Sequence, residues 1–329
     1  MTAVVDSVPY SVDGRTAIVT GGGSGISLSF ATLLLRSNCN VVIADLALRP
    51  EAETLISLHT TTTPRAIFVR TDVTSWPQLT NMFAVARAEF GGFDILCPGA
   101  GVYEPRWSNF WHPPGTASSK DPVDAEPGHY ASIDINLTHP IRCTQMAIAE
   151  WLNPRGDGAG SSSNLKASPL NQKRVIHISS VAGHMAFVAN PLYIACKHGI
   201  HGFVRSLARL DAGLGIRVIA VAPGLIKTPI WTEHPEKLAY RDESRDVWAT
   251  PEEVAEAMLR CVVEEGMVGG TIVEVGKGNT RVVEAFNDPG PSRDPKDGFV
   301  ASNSKKGTEE VFGWLQEEGW GTPGWNSAN

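Results

Sequence analysis

Seven short β-rich runs alternate with helical patterns along this chain, and few folds accommodate that alternation. The runs are TAIVTG (16–21), NVVIADL (40–46), AIFVRTDV (66–73), FDILCPG (93–99), RVIHISS (174–180), IRVIAVAPG (216–224) and GTIVEVG (270–276). They are continuous rather than strictly alternating, which is how strands buried on both faces read. Helical patterns fall at about 24–37, 75–90, 128–152, 191–213 and 250–265. The last opens on Thr250-Pro251-Glu252-Glu253, a capping box with proline at the first helical position. The alternation predicts an α/β fold: a doubly wound, seven-stranded parallel sheet with helices on both faces. A chain of 329 residues suits one large domain or two ordinary ones; the seven strands are read as one domain over 12–284.

The first strand runs straight into Thr20-Gly21-Gly22-Gly23-Ser24-Gly25-Ile26-Ser27, which opens a helix. Glycines let backbone N–H groups approach a pyrophosphate closely, and the helix N-terminus adds partial positive charge. Alone, such a run is often a simple turn; strand before and helix after is the context that gives it meaning. The next strand ends at Asp45, about twenty residues on, where a carboxylate can accept hydrogen bonds from ribose hydroxyls and repel a 2′-phosphate. No basic residue stands at Ser24 or Leu46, and Arg49 is a distant candidate, so NAD is favoured over NADP. The bland alternative for Asp45 is a solvated strand-end carboxylate.

Tyr193 and Lys197 stand four residues apart in a predicted helix, with Ser180 at the end of the fifth run. Positions i and i+4 share a face, so the lysine ammonium can favour a phenolate that is scarce at the ordinary tyrosine pKa of ~10. The serine hydroxyl can hold the oxygen that the phenol protonates or deprotonates. Each residue also has a structural reading: a turn hydroxyl, a packed aromatic, a solvated charge.

With Gly21, Gly25, Asp45, Ser180, Tyr193 and Lys197 in this order, the chain resembles the short-chain dehydrogenase/reductase family over roughly residues 12–280, and within it the NAD-dependent hydroxyprostaglandin dehydrogenase type. The resemblance implies a Rossmann-type domain and a cofactor-binding set. That set also takes in Gly23, Ser24, Ile26, Ala100 and Gly101, with Tyr193 and Lys197. It implies that Asp72-Val73 meets the adenine, and that Asn136 completes a catalytic tetrad with a water-linked relay to Lys197. Pro223-Gly224 with Thr228 is expected to border the nicotinamide. The chain departs from the family pattern twice. Ser27 stands where a third glycine is usual, and Pro98-Gly99-Ala100-Gly101 replaces Asn-Asn-Ala-Gly, so another group must satisfy the backbone that the asparagine serves.

The reaction so implied is hydride transfer between NAD(H) and a secondary alcohol or ketone, with Tyr193 as general acid/base. Asn190, His184, Leu225 and Trp231 are the candidates for substrate contact, and Trp248, Phe110 and Trp111 add to the expectation of a bulky apolar substrate. Alternatives are a biosynthetic ketoreductase working in the reducing direction and a non-catalytic NAD-binding sensor or scaffold. The histidines lack ligand-like grouping, and no metal is expected. A homodimer or homotetramer through the helices at 128–152 and 191–213 is implied by the resemblance.

A net charge of −7 gives no basic footprint for nucleic acid or an anionic membrane, and no apolar stretch approaches the ~20 residues of a span. Five scattered cysteines and the absence of a basic-then-apolar start suit a cytoplasmic protein. Three segments exceed ordinary connections: 103–127, rich in aromatics and prolines; 153–173, Gly/Ser-rich and read as an exposed loop; and the tail 285–329. The tail carries a short amphipathic piece around Val311–Leu315. Its Trp314, Trp320 and Trp325 suit docking on the body or a partner subunit, and partial disorder is the alternative.

Overall fold

The apolar runs become strands because each can bury both faces between helix layers. In the computed structural model, which describes residues 9–154, 165–233, 242, 244–285 and 304–322, they form β1 (Thr16–Thr20), β2 (Asn40–Asp45), β3 (Ala66–Arg70), β4 (Ile95–Pro98), β5 (Lys173–Ile178), β6 (Ile216–Pro223) and β7 (Ile272–Gly276). An eighth strand, β8 (Asn279–Val282), follows a two-residue turn in which Gly278 takes φ +64°. The sheet is therefore eight-stranded, not seven, in the order β3-β2-β1-β4-β5-β6-β7-β8. The first seven strands are parallel and β8 pairs antiparallel to β7, with Gly276 opposite Asn279. The order reverses between β1 and β4, so the connections leaving their carboxyl ends diverge and open a crevice there.

The helices are α1 (Gly25–Arg36), α2 (Pro50–Leu58), α3 (Trp76–Phe90), α4 (Ala131–Ile133), α5 (His139–Leu152), α6 (Pro191–Ser206), α7 (Arg209–Leu214), α8 (Pro229–Thr232), α9 (Pro251–Val263) and α10 (Ser304–Gln316). The capping box is formed in full: Thr250 Oγ1 accepts from Glu253 N at 3.2 Å, and Glu253 Oε2 accepts from Thr250 N at 2.7 Å. The single helix expected over 191–213 is two, α6 and α7, and the stretch expected at 128–152 is interrupted by a π turn at Asp134–Thr138.

Successive strand residues point to opposite faces. Val19 and Ile43 join Phe30, Leu34, Val254 and Met258 in one apolar layer; Ile18 and Val42 join Leu79, Phe83, Trp151 and Val204 in the other. Phe93 packs edge-on against Phe83 at 5.2 Å between ring centroids, and its carbonyl accepts from Trp151 Nε1 at 2.8 Å.

Tail helix α10 runs further than the short piece around Val311–Leu315. Leu315 is buried in the second layer, with Phe312 and Trp320 packed against it. Asn153, after α5, donates from Nδ2 to the Trp320 carbonyl at 2.8 Å and accepts from Gly319 N at 2.8 Å. Trp325 and residues 155–164 of the Gly/Ser-rich segment lie outside the described residues. Among the described residues, no helix is long and apolar enough to cross a membrane.

The amino-terminal edge of the sheet is held by charge. Asp94, fully buried before β4, accepts from Lys173 Nζ at 2.7 Å and from Arg15 Nη1 at 3.0 Å, and Lys173 is equally buried. Burial pushes the Lys173 ammonium below its ordinary value, and Asp94 opposes that shift. Asp94→Asn leaves a buried cation without its counter-charge and is expected to cost about 3–5 kcal/mol of unfolding free energy. Urea titration measures it; a loss below about 1 kcal/mol would mean that the pair does not hold this edge.

Candidate active site

The crevice begins at the β1–α1 turn. Gly21 takes φ +68°, and a Cβ there would lie 2.7 Å from the Ala100 Cα, so only glycine lets the turn pass so close to the end of β4. Gly21, Ser24, Gly25 and Ile26 line the crevice. Ser24 makes no side-chain cap bond to α1, so a helix N-terminus with a glycine turn before it faces the cleft. That donor set suits a pyrophosphate. Gly23 departs from expectation, because it does not line the crevice. Its N–H donates to Asp45 Oδ2 at 2.9 Å, and a Cβ at Gly23 would crowd that same oxygen. Asp45 also accepts from Leu46 N through Oδ1 at 2.7 Å, which presents an oriented carboxylate on the crevice wall beside Asp72 and Val73. Arg49 is committed to Glu233 at 2.6 Å.

The other end of the crevice gathers Ser180, Tyr193, Lys197, Asn136, Pro223, Gly224 and Thr228, with Ala100 and Gly101 between the two ends. Ser180 follows β5, where its Oγ accepts from Ala182 N at 3.2 Å and donates to the Pro223 carbonyl at 3.4 Å, on the same crevice wall as Tyr193. Lys197 lies one turn beyond Tyr193 on α6, with Nζ 5.4 Å from the tyrosine ring centroid, and donates to the Ile178 carbonyl at 2.9 Å. Burial raises the Tyr193 phenol above its ordinary range. The neighbouring Ser180 hydroxyl opposes that rise, and the Lys197 ammonium is turned toward the Ile178 carbonyl. Asn136 sits in the π turn, where its side chain pairs with one residue of the β4 loop. Oδ1 accepts from Val102 N at 3.0 Å and Nδ2 donates to Val102 O at 2.9 Å.

A model of the short chain dehydrogenase family matches residues 15–239. The chain belongs to the short-chain dehydrogenases. It is 32% identical over 272 residues to the cis-4-hydroxycyclohexanecarboxylate dehydrogenase of Sinomonas cyclohexanicum, across 82% of this chain and 97% of that protein. It is 28% identical over 281 residues to human 15-hydroxyprostaglandin dehydrogenase [NAD(+)], across 80% and 91% respectively. Among solved structures, a short-chain dehydrogenase/reductase from Brucella melitensis, titled a glucose/ribitol dehydrogenase, superposes with TM-score 0.62 at 23% identity, over 82% of this chain and 98% of that one, and so shares the fold.

The two departures of this short-chain dehydrogenase from the family pattern fit each other. Ser27 is buried, and its Oγ fills the space that a Cβ at Gly99 would take. The extra atoms at one position are admitted by the missing ones at the other. The segment that lacks the asparagine is tied to β1 by Thr20, whose Oγ1 accepts from Ala100 N at 3.2 Å and meets His139 Nε2 at 3.1 Å. His139 Nδ1 faces the Ile135 carbonyl at 3.1 Å. A carbonyl only accepts, so Nδ1 carries the proton and Nε2 accepts from Thr20. The ring stays neutral, since burial lowers its pKa to about 4.

On the substrate side Trp231 lines the crevice, whereas His184, Asn190 and Leu225 do not. His184 turns away to Glu274 on β7, at 2.8 Å from Nε2 to Oε2, and stacks on His201. Asn190 is buried at the residue before α6, and the Leu225 carbonyl accepts from Ala249 N at 3.0 Å. Tyr103, which sequence reasoning missed, lines the crevice with its ring 4.9 Å from that of Tyr193 and 5.3 Å from that of Trp231, and Trp248 continues the row at 5.9 Å from Trp231. Its place two residues beyond Gly101 was the available signal.

Lys197 is 6% exposed, and burial lowers its pKa from 10.5 to about 8. Between those values the folded protein has released a proton that the unfolded chain still holds, so this group makes stability rise as pH climbs from about 8 toward 10.5. Lys197→Met keeps the bulk and removes the buried charge. In the free protein it is expected to be more stable at pH 7, by roughly 1–3 kcal/mol. The gap should close above pH 8 in thermal unfolding; a variant less stable at pH 7 contradicts the assignment.

Proposed function

We propose that this chain is an NAD(H)-dependent oxidoreductase of bulky, apolar secondary alcohols and their ketones, with Tyr193 as general acid/base. The observation that carries the reading is the meeting of Ser180, Tyr193 and Lys197 in the same crevice as the glycine turn. The donor set fits the cofactor: α1 and its glycine turn for the pyrophosphate, Asp45 for the adenosine ribose, Asp72 and Val73 for the adenine, Lys197 for the nicotinamide ribose. Asp45 also sets a fixed negative charge against a 2′-phosphate, and Arg49, the nearest remedy, is already paired with Glu233. When bound, the nicotinamide supplies the hydride acceptor for oxidation and the donor for reduction.

The protein's own part is to hold an oxygen and move a proton. Ser180 Oγ fixes the substrate oxygen, and Tyr193 Oη takes its proton in oxidation or returns one in reduction. A phenol held protonated by burial is ready for the reducing direction; oxidation needs its phenolate, so alcohol oxidation should speed up as pH rises while ketone reduction slows. Asn136 holds the loop after β4 through Val102 and thereby the wall that carries Tyr103. The aromatic row Tyr103, Trp231 and Trp248 supplies an apolar side for the substrate. The same reading takes the chain as a homodimer or homotetramer through α5 and α6, which light scattering tests; a monomer at assay concentration contradicts that part.

Tyr193→Phe is expected to lower kcat by about 10²–10⁴-fold. NADH binding, followed by nucleotide fluorescence, should be retained, and NADH should be preferred to NADPH. Retained turnover in that variant would remove the tyrosine from the mechanism. A wild-type protein that binds NADH but converts no secondary alcohol or ketone would instead mark a cofactor sensor.

A further inference from the structure

Glu104 lies in the long connection after β4, next to Tyr103, and is only 3% exposed. Its carboxylate reaches α6, eighty-nine residues away in sequence, where Oε2 accepts from Tyr193 N at 2.8 Å. The Leu192 N–H, next to it in the first turn of α6, also favours the charged carboxylate. The other oxygen, Oε1, accepts from Phe110 N at 3.1 Å, and the Glu104 carbonyl accepts from Asn109 Nδ2 at 3.2 Å. Its backbone is held at φ +29°, a conformation that a residue with a side chain rarely adopts and keeps only where surrounding contacts fix it.

The N-terminus of α6 explains the need. Asn190 precedes it but makes no side-chain cap bond, and Pro191 brings no N–H. The amides of Leu192 and Tyr193 are those that a local N-cap would ordinarily satisfy. We propose that Glu104 is a positioning residue for the reaction assigned above: its carboxylate caps α6 from a distant loop and so seats Tyr193 against Ser180. Burial raises the carboxyl pKa and the three backbone N–H groups lower it. The same loop is fastened a second time, because Trp111 Nε1 donates to the Val188 carbonyl at 2.8 Å, just before α6. Tyr103, edge-on to Tyr193, therefore moves with the catalytic helix.

The geometry is specific to a carboxylate. Its two oxygens accept from two different segments, Phe110 in its own loop and Tyr193 on α6, and neither donates. A glutamine has one acceptor oxygen, so its amide nitrogen would face either the Phe110 or the Tyr193 N–H, donor against donor. Aspartate keeps the charge with one methylene less reach.

Hydrogen exchange in the full-length protein tests the anchor without any substrate. First-turn amides have no acceptor within their own helix, so protection at Tyr193 reports Glu104. Glu104→Gln should accelerate exchange there at least ~10-fold while residues 200–204 stay protected, with Glu104→Asp between. Should the glutamine variant not fold, the aspartate variant makes the same comparison. Unchanged protection at Tyr193 overturns the anchor.

The kinetic part rests on the proposed reaction. Glu104→Gln should lower kcat at least ~10-fold, with NADH binding within about twofold of wild type, and should move the midpoint of the kcat–pH profile. Partial unfolding only scales that profile. A seat shifted among Ser180, Tyr103, Cys196 and Lys197 displaces its midpoint. Faster exchange with kcat and midpoint unchanged reduces Glu104 to a simple cap and overturns the positioning role. A wild-type protein inactive toward every alcohol and ketone tried sinks the reaction itself, while the exchange comparison still decides the anchor.

Discussion

The hydrogen bond from Lys197 Nζ to the Ile178 carbonyl ties α6 to the last residue of β5. Ser180 is two residues further along that strand's exit, and Tyr193 is one turn earlier on the helix. That bond helps to set the distance between Ser180 and Tyr193, the two groups proposed to share a substrate oxygen. It costs a buried ammonium whose pKa falls to about 8. A cation kept where it is poorly solvated is a sign of function more than of stability.

The sheet separates stability from chemistry along the strand direction. Asp94, Lys173 and Arg15 lock the amino-terminal ends of β1, β4 and β5 with buried charge. At the carboxyl ends the chain instead leaves donors and acceptors facing a crevice: the α1 N-terminus, the Asp45 carboxylate, the Ser180 and Tyr193 hydroxyls. The strand order fixes where that crevice opens, and the glycine turn keeps it narrow by passing against Ala100.

Local pattern carried most of the fold, because buried parallel strands and amphipathic helices each leave a period in the sequence. β8 escaped since it is short and polar and its existence depends on a turn at Lys277-Gly278. α2 escaped for a similar reason, with Ala52 its only buried residue. At the site, residues joined by motif spacing came together except Gly23, whereas His184 and Asn190, chosen for nearness to Tyr193 along the chain, did not. His184 is drawn off by Glu274, and Asn190 is buried beside the helix it precedes. Glu104 and the fit of Ser27 to Gly99 are long-range complementarities, and no run of neighbouring residues announces them.

The central claim is that one substrate oxygen is held jointly by the hydroxyls of Tyr193 and Ser180. A crystal structure with NAD⁺ and an unreactive ketone or alcohol analogue tests it most directly. The account predicts the ligand oxygen at roughly 2.6–3.2 Å from both Tyr193 Oη and Ser180 Oγ, with the pyrophosphate against Gly21–Gly25. A ligand oxygen bound by neither hydroxyl, or a cofactor lying outside the glycine turn, would contradict it.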